Sequence, residues 1–307
     1  MKIAFCFPGQ GSQDVGMGRA IAEEFPPARA AYDEASEAVG FDVAKLCFEG
    51  SIEELTRTEL QQPALVATSI ACLRAVKTLG IEPDYVIGHS VGEYSALAAA
   101  DAISTGEAVV LVRERGEAMA EAAREKPGAM AAVLGLDDAV IEDLCQAIEG
   151  VWVANYNCPG QVVVSGENAA VDRLIAEAAA RGARKAVKLR ISGAFHSPLV
   201  ARAAERLKPA LAKATWHNPS PPFMSTVTAK LEDAQRIGTL LVEQLTAPVR
   251  FTQAVRGLVK DGAGMFVEIG PGQVLSGLLR RCDRSLRTIS VSDPESLRRL
   301  RDTLSAA

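Results

Sequence analysis

The stretch YVIGHSVG, residues 85–92, combines a short apolar strand with a tight turn that is bounded by Gly88 and Gly92. A G-x-S-x-G sequence between a strand and a helix is the pattern of a nucleophile elbow, in which a sharp turn exposes the serine. The turn is crowded, so small residues must flank Ser90, and the N-terminus of the following helix stabilises negative charge on a substrate oxygen. We therefore expect Ser90 to be a nucleophile. The alternative is a plain strand-to-helix turn in which Ser90 caps the helix.

Strand-like runs alternate with longer helical patterns along the chain of 307 residues. This alternation predicts an α/β fold with a hydrolase-like core built on a largely parallel sheet. One predicted helix has Pro63 at its first position and runs to about Leu79. Another opens with a capping box formed by Ser104 and Glu107.

The pattern changes between residues 127 and 192, where six predicted elements follow one another in the order βαββαβ. This order is the ferredoxin-like arrangement. The strongest motifs lie before and just after this segment, which indicates an insertion. We therefore expect a large α/β catalytic subdomain made of residues 1–126 and 193–307, and a ferredoxin-like small subdomain made of residues 127–192.

The composition, with 48% apolar and 23% charged residues and a formal net charge of -5, is typical of a globular protein. The mild acidity gives no reason to expect nucleic acid or an anionic membrane as a partner. No apolar run of about 18 residues and no signal-peptide pattern occur, so we expect a cytoplasmic protein. The six cysteines show no C-x-x-C spacing and the three histidines do not cluster with them. We expect reduced thiols and no metal site.

Among the three histidines, His196 is the best candidate for a general base. Ser197 and Pro198, which follow it, suit the N-cap and the first position of a helix. The positive end of that helix disfavours an imidazolium and keeps His196 able to accept a proton. The alternative is a partly buried histidine at a loop–helix junction. His89 adjoins the serine, so the elbow should turn it away into a supporting role, and no catalytic role is expected for His217.

A histidine base also needs a group that orients its ring. The aspartates between Ser90 and His196 lie at helix starts, within helices or at helix ends, and none stands out as that partner. A backbone or amide carbonyl can hold the ring instead, which would give a Ser-His dyad.

Arg115 is predicted at the centre of the apolar face of the helix that follows Thr105. At 100° per residue, five apolar residues lie within about 40° of it: Ala108, Leu111, Val112, Met119 and Ala122. No carboxylate lies three or four positions away, and an unpaired buried charge is costly. We expect Arg115 to bind either a distant Asp or Glu or the carboxylate of a ligand, which its planar fork suits.

Seven motifs, taken in order, resemble those of the malonyl-CoA:acyl-carrier-protein transacylase family and of the related acyltransferase domains of fatty acid and polyketide synthases. They are FPGQGSQ at residues 7–13, QPA at 62–64, GHSVGE at 88–93, RG at 115–116, NYNCPGQ at 155–161, GAFHS at 193–197 and GPG at 270–272. The resemblance covers nearly the whole chain.

The resemblance implies an [acyl-carrier-protein] S-malonyltransferase, which moves a malonyl group from malonyl-CoA to the phosphopantetheine thiol of a holo acyl carrier protein without a cofactor. It implies that Ser90, deprotonated by His196, attacks the thioester. The backbone N–H groups of Gln10 and Val91 would hold the oxyanion, and Arg115 would pair with the malonyl carboxylate.

The resemblance also implies that Gln62, Asn157 and Phe195 bind substrate. A bulky Phe195 beside the base leaves little room for an α-methyl branch, so malonyl is expected to be preferred to methylmalonyl. The family orients its histidine with backbone carbonyls, and we expect these near residues 248–250.

Two residues depart from the motifs of stand-alone bacterial enzymes, namely Val91, which is more typical of synthase domains, and Val200. They leave the choice between fatty acid and polyketide synthesis open. The expected partners are malonyl-CoA and an acyl carrier protein, with no nucleic acid and no membrane, and the expected state is a monomer.

Two other functions are compatible with parts of the sequence. The first is a serine hydrolase of neutral esters, against which Arg115 argues, because a neutral ester has no carboxylate for it to bind. The second is a catalytically silent subunit that binds a carrier protein, against which the intact Ser90 and His196 argue. The basic stretch at residues 280–287 is either a contact for an acidic carrier protein or a solvated surface.

Overall fold

The computed structural model describes residues 1–191 and 193–305, in which strands and helices alternate. The strands are β1 (Lys2–Phe7), β2 (Tyr85–Gly88), β3 (Ala129–Leu134), β4 (Val151–Cys158), β5 (Gln161–Gly166), β6 (Lys185–Lys188), β7 (Phe223–Ser225), β8 (Lys230–Glu232), β9 (Ala263–Ile269) and β10 (Arg287–Val291). Ser192 and residues 306–307, which the predicted subdomain limits include, lie outside the described residues.

The helices pack against the two sheets and against one another. They are α1 (Arg19–Glu24), α2 (Pro26–Val39), α3 (Val43–Glu49), α4 (Ile52–Thr56), α5 (Thr58–Lys77), α6 (Gly92–Ala99), α7 (Thr105–Glu125), α8 (Asp138–Ala147), α9 (Asn168–Ala180), α10 (Ala201–Lys213), α11 (Ala234–Glu243), α12 (Phe251–Lys260), α13 (Val274–Cys282) and α14 (Pro294–Ser305). A 3₁₀ turn, Pro198–Val200, precedes α10.

The larger sheet has six strands in the order β10-β9-β1-β2-β7-β8. The first five are parallel, and the edge strand β8 runs antiparallel to β7. In β1, Phe5 and Phe7 enter one apolar cluster, whereas Ala4 and Cys6 enter the cluster on the opposite face. Burial of both faces is why this strand is a continuous apolar run. The predicted α/β fold with a parallel-sheet core is confirmed.

The smaller sheet is antiparallel, in the order β4-β5-β3-β6. Its elements follow the chain as β3-α8-β4-β5-α9-β6, which is the βαββαβ order. One face packs on α8 and α9 around Ile141 and Leu174, and the other sends Met130 and Val163 into the main core. The sequence limits of the two subdomains stay a prediction.

The predicted start of the helix that carries Pro63 is wrong. This helix, α5, begins at Thr58, so Pro63 lies inside it. A proline there removes one backbone hydrogen bond. Since α5 packs between α2 and α7, burial of this helix outweighs that loss. The earlier start places Gln62 inside the helix, where it faces α7.

The cysteines, all of which lie within the described residues, form no disulfide bonds among themselves. All six cysteines are free thiols, and Cys6, Cys47, Cys72 and Cys158 are buried. Within residues 1–191 and 193–305, no group of three His, Cys, Asp or Glu side chains is arranged to hold a metal ion. Over the same residues, no helix combines the length and the apolar character that a membrane span needs.

Candidate active site

Ser90 lies in the turn between β2 and α6, where the backbone is held in an unusual conformation. Its φ of 53° falls in the left-handed region, which residues other than glycine adopt rarely and which is enriched at active sites. A Cβ atom on Gly88 would lie 2.1 Å from the carbonyl carbon of Gly92, and one on Gly92 would lie 2.2 Å from the carbonyl oxygen of Phe7. Both flanking positions therefore require glycine.

His196 faces this serine from the other side of the site. Its Nε2 atom lies 2.8 Å from Ser90 Oγ. Its Nδ1 atom lies 2.8 Å from the carbonyl oxygen of Gln244 and 3.2 Å from that of Ala247. Because a carbonyl only accepts, Nδ1 carries the proton and Nε2 is free to accept one from Ser90. The pair therefore has the arrangement of a nucleophile and its general base.

The carbonyls that orient this ring lie just before residues 248–250, near which they are expected, and Ala247 directly adjoins that range. The carbonyl of Val249 is engaged elsewhere, because it accepts a hydrogen bond from the N–H of Tyr156 where this segment bridges to β4. The orienting carbonyls belong to Gln244 and Ala247, which follow the end of α11. Carbonyls at a helix C-terminus lack partners within the helix and are free for such contacts.

The surroundings of His196 favour the neutral ring. Burial, with the Arg115 cation as a second cause, lowers the pKa of His196 to about 3, while the hydrogen bond to the Gln244 carbonyl acts in the opposite direction. Ser197 caps the 3₁₀ turn by accepting a hydrogen bond from the N–H of Leu199, as the sequence predicts for a helix start after His196. A neutral imidazole is the form that a general base requires.

Arg115 is completely buried and lies directly beside the nucleophile. Its Nη1 atom donates to Gln62 Oε1 at 2.8 Å, and its Nη2 atom donates to Gln244 Oε1 at 2.9 Å and to Ser90 Oγ at 3.1 Å. Among the described residues it forms no ion pair with a carboxylate, and its Nε atom has no partner there. A buried cation held by amide oxygens in this way can accept an anionic ligand group.

Two residues that sequence reasoning missed complete this network. The Gln244 side chain donates from Nε2 to the carbonyl oxygen of Ser90 at 3.1 Å and to Glu93 Oε2. Glu93 Oε1 accepts from the N–H of Thr226 and from its hydroxyl, the latter at 2.7 Å. Burial raises the pKa of Glu93 to about 7, although these hydrogen bonds lower it. No local pattern marks Gln244, because its contacts depend on where α11 ends in space.

The backbone amides expected to hold an oxyanion are available. Neither the N–H of Gln10 nor that of Val91 donates to another of the described residues. Gln10 lines the pocket beside Ser90 and is held by a hydrogen bond from its side chain to Gln61, while Val91 precedes the first turn of α6. Free N–H groups next to a nucleophile suit the charge that develops in acyl transfer.

A pocket of about 140 Å³ opens at the serine. The residues around it that the sequence singled out are Gln10, His89, Ser90, Asn157, Phe195 and His196. Neither Gln62 nor Arg115 lines this pocket: Arg115 lies behind Ser90, which it contacts, and Gln62 contacts Arg115. His89 is turned away from the serine, as expected, and its Nε2 atom lies 2.9 Å from Asn157 Oδ1.

A serine at a nucleophile elbow, a histidine held by backbone carbonyls and a parallel-sheet core are the features of enzymes that form an acyl-serine intermediate, a class that includes both acyltransferases and hydrolases. The model of the acyl transferase domain family matches residues 4–298, and the chain belongs to this family.

Named relatives are similar over the full length of the chain. A malonyl CoA-acyl carrier protein transacylase of Bacillus subtilis (strain 168) is 47% identical over 301 residues, which cover 96% of this chain and 95% of that protein. The structure of the malonyl-CoA:acyl carrier protein transacylase of Xanthomonas oryzae pv. oryzae gives a TM-score of 0.95 at 44% identity, with 98% of both chains covered. A malonyl-transacylase in complex with its type II PKS acyl-carrier protein gives a TM-score of 0.96 at 39% identity, covering 99% of this chain and 100% of that one.

Proposed function

We propose that this enzyme transfers the malonyl group from malonyl-CoA to the phosphopantetheine thiol of a holo acyl carrier protein, through a malonyl ester on Ser90 and without a cofactor. The observation that carries the proposal is the buried Arg115 cation, whose Nη2 atom lies 3.1 Å from Ser90 Oγ. The activities named for the relatives support the same reaction.

In the first half-reaction, Ser90 Oγ attacks the thioester carbonyl of malonyl-CoA while His196 Nε2 takes the hydroxyl proton. The negative charge on the carbonyl oxygen is held by the N–H groups of Gln10 and Val91. The carbon–sulfur bond then breaks, the proton passes from His196 to the departing sulfur, and the malonyl group remains as an ester of Ser90.

The second half-reaction reverses these steps with a new thiol. The phosphopantetheine sulfur gives its proton to His196 and attacks the ester carbonyl. The ester bond breaks, Ser90 regains its proton from His196, and malonyl-carrier protein leaves. This is a ping-pong sequence in which one histidine acts as base and then as acid in each half.

The carboxylate of the malonyl group is the feature that Arg115 recognises. Its fork is fixed by Gln62 and Gln244, so that it is ordered before substrate arrives. Hydrogen bonds to charged groups contribute about 1.5–3 kcal/mol, which corresponds to a preference of about 10-fold to 100-fold over an acyl group without a carboxylate. This preference separates the proposed reaction from hydrolysis of neutral esters.

Phe195 supports a preference for malonyl over methylmalonyl. It lines the pocket and is 2% exposed, and its ring packs so closely on Gly193 that a Cβ there would lie 2.7 Å from a ring carbon. The ring therefore cannot move toward Gly193 to admit an α-methyl branch. Competition between malonyl-CoA and methylmalonyl-CoA for one carrier protein measures this preference directly. Equal incorporation of the two groups would contradict it.

The experiment that tests the proposal is transfer to a carrier protein. Incubation with malonyl-CoA and a holo acyl carrier protein should increase the carrier mass by one malonyl group, and the apo carrier, which lacks the thiol, should stay unchanged. Carriers of fatty acid and polyketide synthesis, compared side by side, would show which pathway the product supplies. Release of free malonate without carrier loading would make the protein a hydrolase. The expected monomer is tested by size-exclusion chromatography with light scattering.

A further inference from the structure

Glu93 is a buried carboxylate that the proposed mechanism does not use. It lies in the first turn of α6, three residues after the nucleophile, and is 0% exposed. It accepts hydrogen bonds from the N–H and the hydroxyl of Thr226 and from Gln244 Nε2. Since all these partners donate, the carboxylate acts as an acceptor in every contact, as an ionised group does.

The contact with Gln244 decides which way that side-chain amide points. Its Nε2 atom is held by Glu93 and by the carbonyl of Ser90, so its Oε1 atom faces Arg115 Nη2 at 2.9 Å. An amide turned by half a rotation would place NH₂ hydrogens against the guanidinium, which has only donors. Glu93 and the carbonyl of Ser90 are therefore the two acceptors that keep the oxygen of this amide directed at Arg115.

The position of Glu93, one amide away from Arg115, has a further consequence. Its negative charge acts on the buried cation, as the mutual effects on their pKa values indicate. Yet it forms no direct ion pair with Arg115, so the fork of the guanidinium is not closed by a protein carboxylate. Because Glu93 is separated from Arg115 by the side chain of Gln244, its negative charge offsets the buried positive charge without forming an ion pair, and the guanidinium can still bind a substrate carboxylate.

We infer that Glu93 is a positioning residue for acyl transfer, which fixes the amide of Gln244 and through it aligns Arg115 on the carboxylate of the acyl group. The inference rests on the proposed function, because it needs a carboxylated substrate. It extends that function to a residue that touches neither substrate nor the reacting atoms.

The test is Glu93→Gln, which keeps the shape of the side chain. The N–H of Thr226 is a fixed backbone donor, so the oxygen of the new amide stays on that side and its NH₂ group faces Gln244 Nε2. Two donors cannot pair, so Gln244 loses this anchor, is held at that end only by the Ser90 carbonyl, and fixes Arg115 less firmly. We expect kcat/KM for malonyl transfer to fall about 10-fold or more, with acetyl transfer far less affected.

Thr226→Val is the matched control. It removes one hydrogen bond from the same carboxylate but leaves the contact between Glu93 and Gln244 in place, so it should keep the ratio of malonyl to acetyl transfer. Thermal unfolding of both variants measures their stability separately. If Thr226→Val lowers the ratio as much as Glu93→Gln, or if Glu93→Gln lowers both transfers equally, the inference is overturned.

A double-mutant cycle separates an effect that passes through Gln244 from any other effect of Glu93→Gln. In a Gln244→Leu background there is no amide to orient, so adding Glu93→Gln should cause no further loss of malonyl preference. If Glu93→Gln lowers the malonyl preference in this background as much as it does in the wild type, Glu93 acts independently of Gln244. Failure of the wild-type enzyme to transfer malonyl at all would refute the proposed function instead, so the two failures are distinguishable.

Discussion

Arg115 Nη2 lies 3.1 Å from Ser90 Oγ, so the buried cation directly contacts the proposed nucleophile. The hydroxyl accepts from Arg115 while His196 Nε2 lies 2.8 Å from it on another side. Once Ser90 is acylated, a carboxylate on the acyl chain is the natural replacement partner for the same guanidinium. In the proposed reaction, this contact links recognition of the acyl group to the atom that is acylated.

Arg115→Ala should selectively reduce transfer of malonyl. Loss of hydrogen bonds to a charged group predicts a decrease in kcat/KM of about 10-fold to 100-fold for malonyl-CoA, with acetyl-CoA less affected. Steady-state assays with the two donors measure the ratio. Arg113→Ala is the control, because Arg113 lies on the same helix but is 43% exposed and pairs with Glu117. Equal losses for both donors would remove the carboxylate role from Arg115.

The dependence of malonyl transfer on pH should come from Glu93 and not from His196. Burial lowers the pKa of His196 to about 3, so its ring is neutral throughout the usual assay range. Burial raises the pKa of Glu93 to about 7. Arg115 lowers this pKa, and the neighbouring Tyr94, whose own pKa is raised by burial, stays neutral. Below about pH 7, Glu93 becomes protonated, and its carboxyl group can no longer offer both oxygens as acceptors. The hydrogen bond from Gln244 Nε2 to Glu93 is then weakened.

We therefore expect kcat/KM for malonyl transfer to fall as the pH drops through about 7, and we expect Glu93→Gln to lack this acid limb. Profiles of the wild type and the variant between about pH 5 and 9 provide the comparison. A limb that persists unchanged in Glu93→Gln would assign the titration to His196 and contradict the pKa directions given above.

Gly92→Ala should strongly destabilise the protein, because its Cβ atom would lie 2.2 Å from the carbonyl oxygen of Phe7. Backbone atoms of β1 cannot move aside cheaply, so we expect a loss of about 3 kcal/mol or more in the free energy of unfolding. Gly277→Ala in α13 is the control, since nothing lies within 4 Å of its Cβ position. That change should stabilise the helix by about 0.5–1 kcal/mol. Chemical denaturation measures the free energy of unfolding of both variants. Equal changes in this free energy for Gly92→Ala and Gly277→Ala would show that the elbow is not crowded.

The parts of the site that the sequence predicted are those with a local signature. Ser90 lies between two glycines that a tight turn requires, His196 precedes a capped turn, and Arg115 interrupts an apolar helix face. Each of these signals is contained in a few neighbouring residues or in one helical period. The structure brings the three side chains together through contacts at Ser90 Oγ.

The parts that the sequence did not reveal depend on distant segments meeting in space. Gln244 follows an ordinary amphipathic helix, and only the position of the end of α11 against the elbow gives it contacts with Ser90 and Glu93. The same geometry explains why the orienting carbonyls are those of Gln244 and Ala247, a choice that the expected region near residues 248–250 left open. The helix start predicted at Pro63 is wrong because the tertiary packing of α5 outweighs the preference of proline for the first position of a helix.

The central claim is that Ser90 carries a malonyl group during turnover. The most direct measurement is intact-protein mass spectrometry after incubation with malonyl-CoA, followed by peptide mapping and by addition of a holo acyl carrier protein. The account predicts one malonyl adduct on Ser90 of the wild type, its discharge by the carrier, and no adduct on Ser90→Ala. A wild-type protein without an adduct, or an undiminished adduct on Ser90→Ala, would contradict it.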